Sequence, residues 1–227
     1  MGSVFGKQTV AEPFFEVLLD RNQAQTQYEL RHYPERRYAA TCVYDGDADD
    51  TSPPFRALAN YIGVFGKPQN ESRESISATT PIVYQGSTTK GESIAMTAPV
   101  VTEEVEDGKR VMKFMLPAEY DELSKVPKPI NPAVKIEEIP PQVGVVHKYK
   151  GSLKAEHNKE MAIDLADQLM ADGVEGISEE FVLDNFQFWG YNPPMTIPYL
   201  RRNEVWLQLT EEQVEYLTQK YNNRSLN

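Results

Sequence analysis

The segment YELRHYPERRYAATCVY (Tyr28–Tyr44) contains two runs with strand-like alternation, separated by a proline. A similar segment, VKIEEIPPQVGVVHKY (Val134–Tyr149), occurs in the second half of the chain, with Pro140 in the place of Pro34. Because proline interrupts the hydrogen bonding of a strand, each copy is predicted to form a strand, a break and a second strand. The chain is therefore predicted to consist of two halves with the same plan.

An amphipathic helix is predicted after each strand pair. In the first half, Ser52 and Pro53 are typical of a helix start, apolar residues recur at helical spacing over 55–65, and Gly66 suits the end. In the second half, the apolar stripe runs over 161–169. Each helix has one apolar face, which needs a sheet to cover it.

Further strands are predicted after each helix. The stretches ESISATTPIV (Glu74–Val83) and ESIAMTAPVV (Glu92–Val101) are identical at six of ten positions. They are predicted to form adjoining strands over 75–83 and 93–101. A third strand is predicted over 109–116, and the second half is predicted to add strands over 180–191 and 202–209.

A short C-terminal helix is predicted over about 211–221. It would begin at Thr210, with Gln213 completing a capping box. Val214, Leu217 and Tyr221 are expected to face inward.

Composition disfavours several classes of function. The net charge of −11 makes nucleic acid and acidic lipid poor partners. No apolar run reaches the length of about 18 residues that a membrane span needs, and the only cysteine, Cys42, lies in an apolar run that predicts a buried thiol. We expect a single domain over 1–227, with a core over about 14–209, that is monomeric and cytoplasmic.

Seven short motifs resemble, in order, those of the SOUL/heme-binding protein family. They are YELRHY (28–33), YIGVFGK (61–67), IAMTAPV (94–100), FMLP (114–117), VKIEEIP (134–140), GYNPP (190–194) and RRNEVWL (201–207). The doubled strand motif is particularly similar to SOUL proteins of plants and algae, some of which are associated with the eyespot. The resemblance implies an α+β fold, a distorted antiparallel β-barrel built from two βαββ-like halves and flanked by two helices.

The resemblance also implies that heme or another porphyrin binds in a shallow apolar cleft between the first helix and the loop Met195–Leu200. The residues predicted to contact the porphyrin are His32, Arg56, Ala59, Met195, Ile197, Tyr199 and Arg201. Arginine suits the porphyrin carboxylates because its planar group donates two parallel hydrogen bonds. The apolar loop is equally consistent with packing over one end of the barrel.

His32 is the predicted iron ligand. Strand alternation places it on the same face as Tyr28 and Leu30, with Arg31 on the other face. Some family members have a histidine here that has been proposed to bind iron, whereas others bind heme without it. The alternative is a hydrogen-bonded strand histidine. His147 is a weaker candidate, and Met96 is expected to be a core residue more than a thioether ligand.

Arg201 and Arg202 precede the last strand and lie on opposite faces of it. Arg202 shares a face with Glu204. We expect one of the two arginines to be structural and the other to be available to a carboxylate, and alternation does not distinguish them.

The function predicted from these features is reversible heme or tetrapyrrole binding by an intracellular carrier or buffer that is not an enzyme, with a protein partner in heme metabolism as a further expectation. One alternative is a tetrapyrrole-processing enzyme such as a dechelatase, although no nucleophile–base pair or carboxylate pair stands out. The other is a protein-interaction module with a vestigial pocket.

Overall fold

The structure, a computed structural model, describes residues 11–45, 51–86, 109–192 and 196–222. In these ranges nine strands form one curled antiparallel sheet, with four α-helices packed on it. The strands are β1 (Glu16–Asp20), β2 (Glu29–Tyr33), β3 (Arg37–Tyr44), β4 (Ile82–Gly86), β5 (Arg110–Met115), β6 (Val134–Ile139), β7 (Gln142–Tyr149), β8 (Gln187–Gly190) and β9 (Asn203–Gln208). The helices are α1 (Ser52–Ile62), α2 (Ala155–Ala171), α3 (Glu179–Asn185) and α4 (Glu211–Asn222).

The order of the strands confirms the predicted two halves. The sheet runs β1-β2-β7-β9-β8-β4-β5-β3-β6. Apart from β1, this order is symmetric about a pseudo-twofold axis. The axis relates β2 to β6, β3 to β7, β4 to β8 and β5 to β9. The axis passes between β4 and β8, where Val83 lies opposite Trp189. The fold is the predicted α+β distorted barrel, and each half has two strands before its helix.

Alternation along the strands separates three apolar clusters. One fills the barrel interior and comprises Tyr33, Ala39, Val83, Met115, Ile139, Val146, Trp189, Tyr191 and Trp206. A second lies between the sheet and α1 and contains Cys42, which is buried as predicted. The third lies between the sheet and α2 and contains Tyr28 and Leu30, as alternation in β2 predicts. Helices α1 and α2 therefore each cover one half of the outer face of the sheet.

The first helix is shorter than predicted. It ends at Ile62, where Gly63 adopts a left-handed conformation with φ 90° and donates its N–H to Ala59 O at 3.0 Å. Glycine adopts this conformation without steric cost, so it terminates the helix three residues before the predicted stop at Gly66. Phe65 consequently lies outside the helix and is 61% exposed.

The strand predicted over 75–83 is wrong for most of its length, because β4 begins only at Ile82. The preceding residues are tied to the end of α1 instead. Glu74 N–H donates to Asn70 Oδ1 at 3.1 Å, and Ile76 N–H donates to Ile62 O at 3.0 Å. The second copy of the motif, Glu92–Val101, lies outside the described residues, and Met96 with it.

The strand predicted over 180–191 is also partly wrong. Its first half forms α3, and only Gln187–Gly190 pairs as β8. Ser178 caps this helix, its Oγ accepting the N–H of Phe181 at 3.0 Å, and Glu179 and Glu180 occupy the first turn. A side-chain cap and acidic residues at a helix N-terminus both favour the helix over a strand.

The C-terminal helix begins with the predicted capping box. Thr210 N–H donates to Gln213 Oε1 at 3.0 Å, and Gln213 N–H donates to Thr210 Oγ1 at 3.3 Å. Leu217 is fully buried, and Val214 and Tyr221 pack against the same cluster. Across the described ranges, no helix has the length and apolarity needed to cross a bilayer.

A buried ion pair crosses the barrel interior from β2 to β9. The Arg31 guanidinium donates to both carboxylate oxygens of Glu204, at 2.9 and 3.1 Å, and both side chains are fully buried. Arg202 Nη2 lies 2.8 Å from the same carboxylate, and Tyr191 OH donates to it at 2.7 Å. The Arg31 guanidinium also packs over the ring of Phe15, 4.2 Å from its centroid. Buried charges of this kind are stable only when each has its partners.

We predict that Glu204→Gln lowers the free energy of unfolding by about 3–5 kcal/mol, because it removes the buried carboxylate that Arg31 and Arg202 share and leaves Arg31 with the charge of Glu29 alone. Urea unfolding followed by far-UV circular dichroism measures this loss. The exposed Glu119→Gln serves as a matched control and should change stability by less than about 0.5 kcal/mol. The double substitution Arg31→Met with Glu204→Leu should recover most of the loss. A cost below about 1 kcal/mol for Glu204→Gln would contradict a structural role for the pair.

A second polar centre, Asp172, joins α2 to the β1–β2 turn and to α4. Its carboxylate accepts hydrogen bonds from Tyr28 OH at 2.6 Å, Gln168 Nε2 at 3.0 Å and Arg21 Nη2 at 3.2 Å. Its backbone carbonyl accepts one from Tyr216 OH at 3.1 Å. Burial acts to raise the pKa of Asp172, but the hydrogen bonds from Tyr28 and Arg21 outweigh it and hold the pKa below its ordinary value.

We predict that Asp172→Asn lowers the free energy of unfolding by about 1–3 kcal/mol at pH 7, because it removes the charge that these donors face. Since the folded pKa lies below the unfolded one, this stabilisation is present above about pH 4 and is lost as the pH falls through the folded pKa. The difference between the two proteins in urea unfolding should therefore shrink below pH 4. The exposed Asp167→Asn is the control, and equal pH profiles for all three proteins would refute the assignment.

Candidate functional site

An open groove of about 390 Å³ runs along the outer face of α1. Its lining residues are Ser52, Pro53, Arg56, Ala57 and Asn60 of α1, and Asn131 of the segment before β6. The volume lies within the range of about 300–1,000 Å³ that is common for ligand sites. Three neutral polar side chains and one cation make this lining more polar than the apolar cleft predicted from the sequence.

The groove exists because α1 packs with only one side on the sheet. Leu58, Ala59 and Ile62 are buried against β3, β5 and β6, and the residues that line the groove recur at helical spacing on the opposite side. Tyr61 anchors the helix further, since its OH donates to Pro127 O at 2.7 Å. The groove therefore has a rigid floor.

Arg56 is the predicted site residue that the structure places in the groove. Its side chain is exposed, and its guanidinium has no hydrogen-bond or ion-pair partner in the part of the chain that the structure describes. A guanidinium in this state is available to a carboxylate. Ala59, which was predicted to contact the ligand, is fully buried beneath the helix and belongs to the core.

The apolar loop lies beside the connection from β7 to α2. Gly151 N–H donates to Pro198 O at 3.0 Å, which fixes the loop to the end of β7. Ile197 and Tyr199 are 44% and 65% exposed, so they offer apolar surface there. Met195, the remaining predicted loop contact, lies outside the described residues. The groove along α1 is lined without this loop, so the predicted cleft between the two is not seen in the described ranges.

Both arginines before β9 bind within the protein, although in different ways. Arg201 donates to the backbone carbonyls of Thr196 at 2.8 Å and Gly151 at 3.4 Å, and so holds the loop in place. Arg202 pairs with Glu204 and with Glu12 at 3.0 Å. Arg202 is therefore the arginine that pairs with a barrel carboxylate. The expectation that only one of the two is structural is wrong, because Arg201 is also held by partners within the protein.

His32 lies far from α1 in the order of the sheet. It is on β2, whereas α1 covers β3, β5 and β6 at the other end. Its Nδ1 is 3.3 Å from the carboxylate of Glu16 on the neighbouring strand β1, and its side chain is 32% exposed. The structure therefore does not bring His32 together with Arg56. Its ligation of iron stays a prediction.

The other two histidines meet at a cluster that sequence reasoning did not assemble. The ring of His147 stacks on Tyr149, with centroids 5.9 Å apart and planes at 10°, and His157 contacts the same ring edge-on at 5.5 Å. Tyr149 OH donates to Asn158 Oδ1 at 2.7 Å. We call His147, Tyr149 and His157 the imidazole cluster. Alternation places His147 and Tyr149 on one face, but the position of His157 depends on how α2 packs.

The imidazole cluster lies next to the apolar loop. A Cβ added to Gly151 would be 3.1 Å from His157 Nε2, and Gly151 also bonds to Pro198 of the loop and to Arg201, which follows the loop. The loop backbone therefore lies beside His157 at the start of α2. Within the described ranges, no set of three or more His, Cys, Asp or Glu side chains is arranged to hold a metal ion.

Sequence comparison agrees with this fold and its strand motifs. The sequence model described as SOUL heme-binding protein matches residues 10–90 and 83–208. The chain belongs to the SOUL heme-binding protein family. It is similar to Heme-binding protein 2 of Homo sapiens, with 28% identity over 210 residues that cover 88% of this chain and 86% of the relative. It is similar also to Heme-binding protein 2 of Mus musculus, with 27% identity over 213 residues that cover 92% and 91%.

This SOUL protein also resembles a solved structure to which its sequence is only distantly similar. The crystal structure of the EcmrR C-terminal domain superposes with a TM-score of 0.50 at 11% identity, covering 81% of this chain and 97% of that domain. At this level of identity the likeness concerns the fold alone.

Proposed function

We propose that this SOUL protein reversibly binds heme or a related tetrapyrrole and serves as a carrier or buffer in the cytoplasm. Membership in the SOUL heme-binding family and the similarity to two proteins named Heme-binding protein 2 support the ligand class. The observation that carries the proposal is Arg56, an exposed guanidinium at a groove of ligand size that has no partner among the described residues.

The groove suits the carboxylate edge of a porphyrin. Arg56 donates to one carboxylate in a charge-assisted pair, and the amides of Asn60 and Asn131 lie along the same groove as further donors. Apolar surface for the ring adjoins this edge. Ile130 is exposed beside Asn131, and its N–H donates to Gln69 O, while Gln69 N–H donates to Asn60 O. Arg56 would hold a porphyrin carboxylate, and Ile130 would supply apolar surface to the ring.

The openness of this site matches a carrier. The charge of −11 does not attract an anionic porphyrin, so affinity depends on the local contacts of Arg56 and on apolar area. A shallow groove buries only part of the ligand and allows it to leave for a protein that binds it more deeply. We propose further that the chain acts as a monomer and passes the porphyrin to a protein partner in heme metabolism.

We predict that Arg56→Gln weakens the binding of metal-free protoporphyrin about 5–10-fold, because one charge-assisted hydrogen bond is lost. Titration followed by the fluorescence of the porphyrin gives the Kd. Arg36→Gln is the matched control. Arg36 is an exposed arginine in the β2–β3 turn, and it pairs with Glu138 on β6. The substitution changes the net charge equally and should leave Kd within about twofold.

The same titration separates the function from the site. Absence of saturable binding of both heme and protoporphyrin at micromolar concentration would refute the proposed function. Binding that Arg56→Gln and Arg36→Gln leave equally unchanged would keep the function and refute the groove. Release of iron or of altered porphyrin during incubation with heme would instead favour a processing enzyme.

A further inference from the structure

We infer that His147 ligates the iron of a heme bound beside the start of α2, so that the second half of the barrel carries an iron-dependent site separate from the groove along α1. This inference rests on the proposed function, because it takes the porphyrin as the ligand. It assigns iron ligation to a histidine outside the position that the family resemblance indicates.

The hydrogen bonding of His147 fixes which nitrogen is free. Its Nδ1 lies 2.7 Å from the backbone carbonyl of Gln27. A carbonyl only accepts, so Nδ1 carries the hydrogen and Nε2 carries the lone pair. Nε2 has no partner in the described part of the chain and is not among its buried unsatisfied atoms, so it reaches solvent. Histidines that bind metals commonly donate their other N–H to a carbonyl in this way.

The imidazole of His147 is also held in orientation. It stacks nearly parallel on Tyr149, and the OH of Tyr149 is bonded to Asn158, whose side chain is buried in the first turn of α2. Support of this kind, from packing and from a hydrogen bond behind the ligand, is what a preorganised metal ligand requires.

His147 differs in these respects from the other two histidines of the chain. Nδ1 of His32 faces the exposed carboxylate of Glu16 at 3.3 Å, and Nδ1 of His157 faces the exposed carboxylate of Glu160 at 3.2 Å. Such surface ion pairs contribute little to stability, so they hold the two rings weakly. The ring of His147 is instead held by a hydrogen bond to the backbone carbonyl of Gln27.

The ligand class follows from what surrounds His147. The described residues hold no set of three side chains for a bare metal ion, but heme supplies four nitrogens of its own and needs one axial ligand. The loop tied to Gly151 offers the exposed side chains of Ile197 and Tyr199 to an apolar ring. Lys150 and Lys154 are exposed on the same β7–α2 connection and suit carboxylates. An iron porphyrin with free carboxylates combines these three requirements.

The test compares ferric heme with metal-free protoporphyrin on the full chain. The variants are His147→Ala, His147→Asn and His32→Ala. His147→Asn places an amide N–H where Nδ1 donates to the Gln27 carbonyl, and it removes the ring nitrogen that would ligate iron. We expect wild-type protein to give the absorption spectrum of histidine-ligated ferric heme, and both His147 variants to lose it.

The expected changes in affinity distinguish ligation of the iron from binding of the porphyrin ring. Both His147 variants should weaken heme binding about tenfold and leave protoporphyrin binding within about twofold, and added imidazole should restore the spectrum of His147→Ala. His32→Ala should leave the spectrum unchanged. Circular dichroism checks that each variant is folded.

Other results would overturn the inference. A spectrum altered by His32→Ala and unchanged by the His147 variants would assign the iron to His32. Spectra that are the same for all variants would show that heme binds without histidine. Both outcomes refute His147 as the ligand and leave the proposed function standing, whereas wild-type protein that binds neither heme nor protoporphyrin refutes both.

Discussion

The buried pair of Arg31 and Glu204 is the constraint on which the barrel depends. It joins β2 to β9, which belong to different halves of the repeat. Glu29 and the ring of Phe15 also contact Arg31, and Arg202 and Tyr191 also bind Glu204. Side chains on a strand alternate between faces, so a shift of one residue would move Arg31 into the apolar cluster under α2. The pair therefore fixes the register of β2 and β9 on the two sides of β7.

The two halves keep one plan but carry different surfaces. In the first half α1 leaves an open polar groove with Arg56, whereas in the second half the start of α2 carries the imidazole cluster and the apolar loop. The helices occupy equivalent positions about the pseudo-twofold axis, so the difference lies in side chains and in the loops before β6 and β9. Duplication of a half-barrel thus provides two separate surfaces on which binding chemistry can diverge.

Local patterns predicted the features that depend on local geometry. Alternation correctly assigned Leu30 and Arg31 to opposite faces, and Thr210 with Gln213 correctly marked the start of α4. Gly63 and Gly66 both adopt positive φ, and only the packing of α1 decides which of them ends the helix. The polarity of the groove and the contact of His157 with Tyr149 depend on residues brought together from distant parts of the chain, which no periodicity reveals.

The two tryptophans of the sequence, Trp189 and Trp206, stack in the barrel interior with ring centroids 5.6 Å apart and planes at 8°. Gly144 makes room for this arrangement, because a Cβ there would lie 2.9 Å from the indole of Trp206. All indole emission thus comes from one exciton-coupled dimer inside the barrel. A porphyrin docked on either outer face would quench this emission by resonance energy transfer from the indoles. Loss of the coupled near-ultraviolet bands would report the opening of the barrel itself.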